Sequence, residues 1–362
     1  MLLAVQPYPT TVDRSPAVVL PGPPLTAART DRQDGRMRAA WYERQGPAED
    51  VLEVGTMPSP EPAAGEVRVR LTVSGVNPGD LKKRQGWLGS AMPYRRVVPH
   101  SDGAGVIDVV GPGVDPTRVG RRVWVYGAQS YRQFGTAAEA TVVPESLAVD
   151  LPDSVDDELG ASLGIPGITA HRAVYADGPV AGRVVLVHGV LGAVGGMAAR
   201  LAHRGGATVV GTVRRASDLA DVPRDVVQHA VVLDASDPAA EIRAAAPGGV
   251  DRVIEVALSA NADLDAEVAR QGSVIAAYSS PADRPALPFW PLLFANVTLR
   301  LLGSDDFPPD AKQHAVRDLT EAAADGGLSV RVAARYPLGD IAAAHKAVES
   351  GIHNGRVLVT LP

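Results

Sequence analysis

The 362-residue chain contains no cysteine. Disulfides are therefore excluded, and so is every zinc site that needs a thiolate ligand. No run of about 18 apolar residues occurs, so no transmembrane helix is expected. A basic excess is missing too. The 35 Lys and Arg stand against 41 Asp and Glu, a formal net charge of −6, which argues against a general nucleic-acid binder that must neutralise many phosphates. No G-x-S-x-G elbow follows a strand, leaving hydrolase chemistry unsupported. Nothing repeats at a fixed period, which excludes solenoids. What remains is a soluble, cytoplasmic protein, with 46% hydrophobic residues over a length sufficient for two domain cores.

Residues 1–36 are dense in proline and show no sustained periodicity. They lack the apolar stretch and basic start of a signal peptide, so a disordered extension is expected, with Met37 opening the functional chain. From there short alternating strands such as "EVRVRLTV", "GAGVIDVVG" and "RRVWVYG", punctuated by Pro and Gly, predict a β-rich unit over 37–161. After Val184, strands and helices alternate, which predicts an α/β unit over 162–306 with a doubly wound parallel sheet of Rossmann type. The tail 307–362 adds two helices and a closing strand, "GRVLVTLP".

The stretch "VVLVHGVLGAVGGMAARLAHRGGATVVGTVRR", Val184 to Arg215, carries the sharpest signal. Gly189, Gly192 and Gly195 lie between a strand and a helix, where backbone N–H groups at the helix start face outward and a pyrophosphate is the natural occupant. No lysine follows these glycines, so this is not a P-loop. Where NAD-binding folds place an acid for the ribose 2′-hydroxyl, this chain has neutral Thr212 followed by Arg214 and Arg215. A guanidinium holds a 2′-phosphate, so the expected cofactor is NADPH, with either arginine as the partner. The opposing reading is a solvated loop, with Asp218 reaching back.

These segments, with "GIPGITAHRAV", "SGVNPGDLKKRQG", "SDGAGVIDVVG" and "HNGRVLVTLP", resemble the zinc-independent quinone oxidoreductases, the zeta-crystallin group of the medium-chain dehydrogenase/reductase superfamily. The resemblance spans Met37 to Pro362. It implies a GroES-like catalytic domain, 37–161 completed by 307–362, a Rossmann domain over 162–306, an active site in the cleft, and a homodimer or homotetramer. It also places Ile165, Pro166 and Thr169 at the nicotinamide, Gly192, Ala193 and Val194 at the pyrophosphate, and Tyr278, Asn354 and Arg356 along the cofactor.

Departures from the family pattern fall at the chemistry. Ala193 replaces a glycine of the family's "HGxxGGVG", and Lys82 stands where many quinone reductases carry tyrosine. The zinc enzymes of the superfamily have a cysteine near the Asn77 position and a histidine where this chain has Ser101, with Asp102 in the glutamate's place. No metal is therefore expected, and His100 reads as structural. His171 reads as structural as well. Without a Lewis acid, the sensible hydride acceptors are those that delocalise the incoming charge, a quinone or an α,β-unsaturated carbonyl, assisted by placed hydrogen-bond donors. Asn77 is the candidate donor to the substrate oxygen or nicotinamide ribose, and Lys82 the candidate proton source. Tyr126 and Tyr131 are candidates to line the pocket, and Asp80 to cap a helix. A second reading is an NADPH-binding structural or regulatory protein without turnover.

Overall fold

A computed structural model describes residues 35–351 and 354–362. The extension expected over 1–36 lies outside the described residues apart from its last two positions. Arg36 already opens a strand, Arg36–Trp41, which pairs antiparallel with Glu53–Pro58.

The α/β unit is a six-stranded parallel sheet. Its order is His229–Val232, Thr208–Val213, Val184–Val187, Val250–Glu255, Ala269–Ala277, Thr298–Leu301. Chain direction across the sheet reverses between Val184–Val187 and Val250–Glu255, the switch point at which such sheets bind ligands beyond their carboxyl ends. Three of the central strands are apolar on both faces, as "VVLV", "TVVGTV" and "VIAA" show, because helices cover both sides.

The β-rich unit has the GroES-like arrangement. Glu66–Gly75 pairs antiparallel with Asp102–Val110, with Ala140–Pro144 and with the closing strand Arg356–Thr360. Val332–Pro337 pairs with that closing strand in parallel, so the end of the chain returns to complete the first unit. Helix Pro309–Ala324 instead lies against helix Ile168–Tyr175, beside the Rossmann sheet. His171 on the latter bonds Asp318 at 2.7 Å, and Trp124 Nε1 donates to Thr320 Oγ1 at 3.2 Å, joining the two units. A shared apolar core including Val73, Trp124, Leu163, Met197 and Leu319 runs under this junction.

Candidate active site

The turn after Val184–Val187 is built on glycine for steric reasons. Gly189 has φ of +63°, which side chains disfavour, and a Cβ on Gly195 would lie 2.3 Å from the Gly189 carbonyl oxygen. The helix Ala193–Arg204 thus packs directly on the turn, with Gly192 as its N-cap. The Gly192 N–H is bonded to Gly189 O at 2.8 Å, whereas the N–H groups of Ala193 and Val194 have no backbone partner among the described residues. They lie at a partly exposed helix start of twelve residues, where the helix dipole favours an anion.

Thr212 is fully buried rather than facing the cleft, with its hydroxyl bonded to His188 Nδ1 and to the Gly189 N–H. The expectation of direct cofactor contact therefore gives way to an internal role. Arg214 and Arg215 follow it and are exposed. Arg215 lies 3.5 Å from Asp218, which also takes Asn354 Nδ2 at 3.3 Å, while Arg214 makes no ion pair among the described residues. The Asn354 carbonyl accepts from Arg331 Nε at 3.0 Å, bringing the closing motif to the adenosine end of the sheet. Tyr278 directly follows the strand Ala269–Ala277 and is half-buried; burial and the nearby Glu255 raise its pKa.

On the nicotinamide side, Arg356 is the centre of a buried polar cluster. Its Nη1 donates to the Val76 carbonyl at 2.7 Å and to Asn77 Oδ1 at 2.6 Å; its Nη2 donates to Asp102 Oδ2 at 2.8 Å. Asn77 Nδ2 donates to the same Asp102 oxygen at 2.8 Å, and the Ile165 N–H to Asp102 Oδ1 at 2.8 Å. Burial pushes the Asp102 pKa up, and Arg356 with these donors pulls against it. Two glycines make the room: a Cβ on Gly75 would lie 2.0 Å from Arg356 Nη2, and one on Gly164 would lie 2.1 Å from Asp102 Oδ1. Arg356, like Asn77, is 2% exposed, and both of its Nη groups are engaged within this cluster. Asn77 keeps one amide hydrogen without a partner among the described residues. Asp80 accepts from the Asn77 N–H at 2.8 Å as a helix cap, and burial pushes its pKa up to about 7. Pro166 is buried in the irregular segment Leu163–Gly167 beside Ile165, and Thr169 is buried in the first turn of the helix Ile168–Tyr175 that follows. The Thr169 hydroxyl makes no hydrogen bond among the described residues.

These residues do not fit a zinc ion. Asn77 and Asp102 are spent on a guanidinium, and both ring nitrogens of fully buried His100 are engaged, by Ser74 at 2.8 Å and His345 at 2.9 Å. Arg84 Nε can only donate, so His345 Nδ1 accepts from it at 3.3 Å. His345 Nε2 then carries the hydrogen given to His100, which in turn donates from Nδ1 to Ser74. Ser74 continues through Thr136 to the Asp102 carbonyl, a directed chain supporting the motif from behind.

Lys82 sits on helix Pro78–Gln85 with its ammonium 4.2 Å from the Trp87 ring centroid. Its neighbour Lys83, not singled out from the sequence, bonds Gln129 Oε1 at 3.1 Å and Asp305 Oδ2 at 3.1 Å, on the loop leaving the Rossmann sheet. Tyr131 is 70% exposed and its hydroxyl donates to Asp306 at 2.8 Å, which pushes its pKa up to about 12. Tyr126 is buried against Trp124.

A GroES-like unit joined to a Rossmann sheet, with free helix-start N–H groups at the switch point, defines a two-domain dinucleotide-binding fold. The alcohol dehydrogenase GroES-like domain matches residues 63–153, and the zinc-binding dehydrogenase family matches residues 227–359. Rat quinone oxidoreductase is 37% identical over 158 residues, 42% of this chain and 45% of that protein, so the chain spans less than half of that relative in the match. The quinone oxidoreductase of Pongo abelii is 28% identical over 320 residues, 86% of this chain and 93% of that one. A mycobacterial protein crystallised with NADPH is 27% identical, with a TM-score of 0.77 covering 90% of this chain and all of that one. The chain belongs to the medium-chain dehydrogenase/reductase superfamily, with zeta-crystallin-like quinone oxidoreductases among its homologues.

Proposed function

We propose that the chain is an NADPH-dependent reductase that delivers hydride to a quinone or an α,β-unsaturated carbonyl. The observation that carries this reading is the pair of N–H groups at Ala193 and Val194, without a backbone partner among the described residues, beside Gly195 where no Cβ fits, with exposed Arg214 one strand away. Similarity to the quinone oxidoreductases and to the NADPH-bound mycobacterial protein supports it.

The bound cofactor supplies the hydride. The Ala193 and Val194 N–H groups hold its pyrophosphate, and Arg214, assisted by Arg215, holds the 2′-phosphate that distinguishes NADPH from NADH. The free Thr169 hydroxyl is the donor available at the nicotinamide end, beside Ile165 and Pro166. Asn77's remaining amide hydrogen orients the acceptor oxygen, and Lys82 provides the proton there. A conjugated acceptor spreads the arriving charge, so placed donors of this kind suffice.

Among the described residues no helix is long and apolar enough to cross a membrane. We place the protein in the cytoplasm as a homo-oligomer. Supporting the latter, Phe289, Trp290 and Phe294 are 61%, 63% and 70% exposed on one short helix, and Leu301 is 71% exposed on the edge strand of the Rossmann sheet. Such a patch needs a cover in water.

The test is to follow nicotinamide absorbance while purified protein meets NADPH with a small quinone or an enone. Oxidation with either acceptor is expected, and product analysis then assigns the preference. Tight NADPH binding with no oxidation by any acceptor would instead support a binding protein without turnover.

A further inference from the structure

Thr212 clamps the glycine turn twice. Its carbonyl accepts the Val190 N–H at 3.1 Å, and its hydroxyl oxygen accepts the Gly189 N–H at 3.2 Å. Behind it stand His188, with Nδ1 3.0 Å from Thr212 Oγ1, and Asp265, whose Oδ1 lies 2.9 Å from His188 Nε2. Thr212, His188 and Asp265 are all at 0% exposure. Glu255 closes the group, 3.5 Å from His188 Nε2 and bonded by Asn261 Nδ2 and the Ala257 N–H.

With His188 Nε2 carrying the hydrogen shared with Asp265, the neutral ring accepts at Nδ1 from the Thr212 hydroxyl. Thr212 Oγ1 then has its lone pairs free for the Gly189 N–H. The bonds run without interruption from the exposed turn to a fully buried carboxylate, each polarising the next. A histidine and two carboxylates within 4.8 Å also resemble a cation site. Here, however, His188 Nε2 is a donor to Asp265, and the Glu255 oxygens are already met by Asn261 and Ala257.

The turn has no slack to absorb the loss of this support. Gly189 O receives the Gly192 N–H at 2.8 Å and touches the helix where Gly195 lacks a Cβ, so a shift of Gly189 moves the N–H groups of Ala193 and Val194. We propose that Thr212, oriented by His188 and Asp265, is a positioning residue that sets the phosphate-holding turn. The proposal rests on the reading that a nicotinamide dinucleotide occupies that turn.

Thr212→Val keeps the shape and removes the hydroxyl, whereas Thr212→Ser keeps the hydroxyl. Titrating each with NADPH and with NADH, well below its unfolding temperature, is expected to show Thr212→Val raising both Kd values by the same factor, about tenfold. KM for NADPH should rise much more than kcat falls, and Thr212→Ser should return both constants close to the parent's. A merely structural defect would lower the unfolding temperature without this split or rescue. A 2′-phosphate contact would weaken NADPH alone. If Thr212→Val does not fold, His188→Gln breaks the relay one link back and should weaken both dinucleotides severalfold. Parental affinity in the folded variants, or failure of serine to rescue, overturns the proposal. A parent protein that binds neither dinucleotide overturns the proposed function instead.

Discussion

Asp102 and Arg356, 254 positions apart in the chain, meet at 2.8 Å in a site where neither is more than 2% exposed. The contact ties the closing strand to the motif at the head of strand Asp102–Val110, so the active-site side of the first unit is unfinished until the last residues are in place. Removing the cation leaves a buried carboxylate supported only by the Asn77 amide and the Ile165 N–H. We expect Arg356→Leu to destabilise the protein by about 3–5 kcal/mol. Urea unfolding would show this as a lower midpoint at unchanged slope. In a double-mutant cycle, Asp102→Leu with Arg356→Leu should cost less than the sum of the single changes, because neither charge is then stranded. Additive losses would mean that the pair is not coupled.

The adenosine end separates two adjacent arginines. Arg215 shares its charge with Asp218, whereas Arg214 is exposed and has no ion pair among the described residues. Arg214→Ala is therefore expected to raise the Kd for NADPH about tenfold or more while leaving that for NADH nearly unchanged, with a smaller selective effect from Arg215→Ala. Equal losses for both cofactors in the double variant would remove the 2′-phosphate assignment.

The parallel sheet and the glycine turn were legible in the sequence because both are local: short continuous apolar runs alternating with helical stretches, and glycines at fixed offsets. The Asp102–Arg356–Asn77 cluster was not, since no local pattern records a contact across 254 positions. Thr212 was misplaced for a related reason. A strand covered on both faces shows no polar and apolar alternation, so nothing in "TVVGTV" reveals that Thr212 is buried.

Lys82 and Lys83 show how one helical step redirects a side chain, by about 100°. Lys82 rests over Trp87, and Lys83 crosses to Asp305. Lys82→Met should lower kcat by about tenfold or more with little change in cofactor Kd. Lys83→Met should loosen the contact between the two units, seen as faster proteolysis near residues 303–306. An unchanged rate in Lys82→Met would return that residue to the solvated surface.

Oligomeric state has a direct check at the exposed helix Phe289–Phe294. Phe294→Glu, alone or with Trp290→Glu, adds charge where apolar surface is expected to be covered. Light scattering should show the parent as an oligomer and the double variant shifted to the monomer. A monomeric parent at micromolar concentration would sink the assignment.

Acid sensitivity follows from the buried histidine chain. Burial, with Arg84 nearby, lowers the His345 pKa from 6.5 to about 3, and burial with His345 and Arg356 lowers that of His100. The folded state thus binds fewer protons than the unfolded chain between these values. The resulting stability is fully present above about pH 6.5 and is lost as pH falls toward 3. Asp80 and Glu255, each pushed up to about 7, act with the opposite sign over part of this window, so the parent's curve alone does not isolate the histidines. His345→Gln does, because glutamine can still accept from Arg84 and donate toward His100 without titrating. Its unfolding free energy should fall less steeply than the parent's between pH 6.5 and 4.5, by up to about 1 kcal/mol per pH unit. Parallel curves for the two proteins would show that His345 does not remain neutral in the fold.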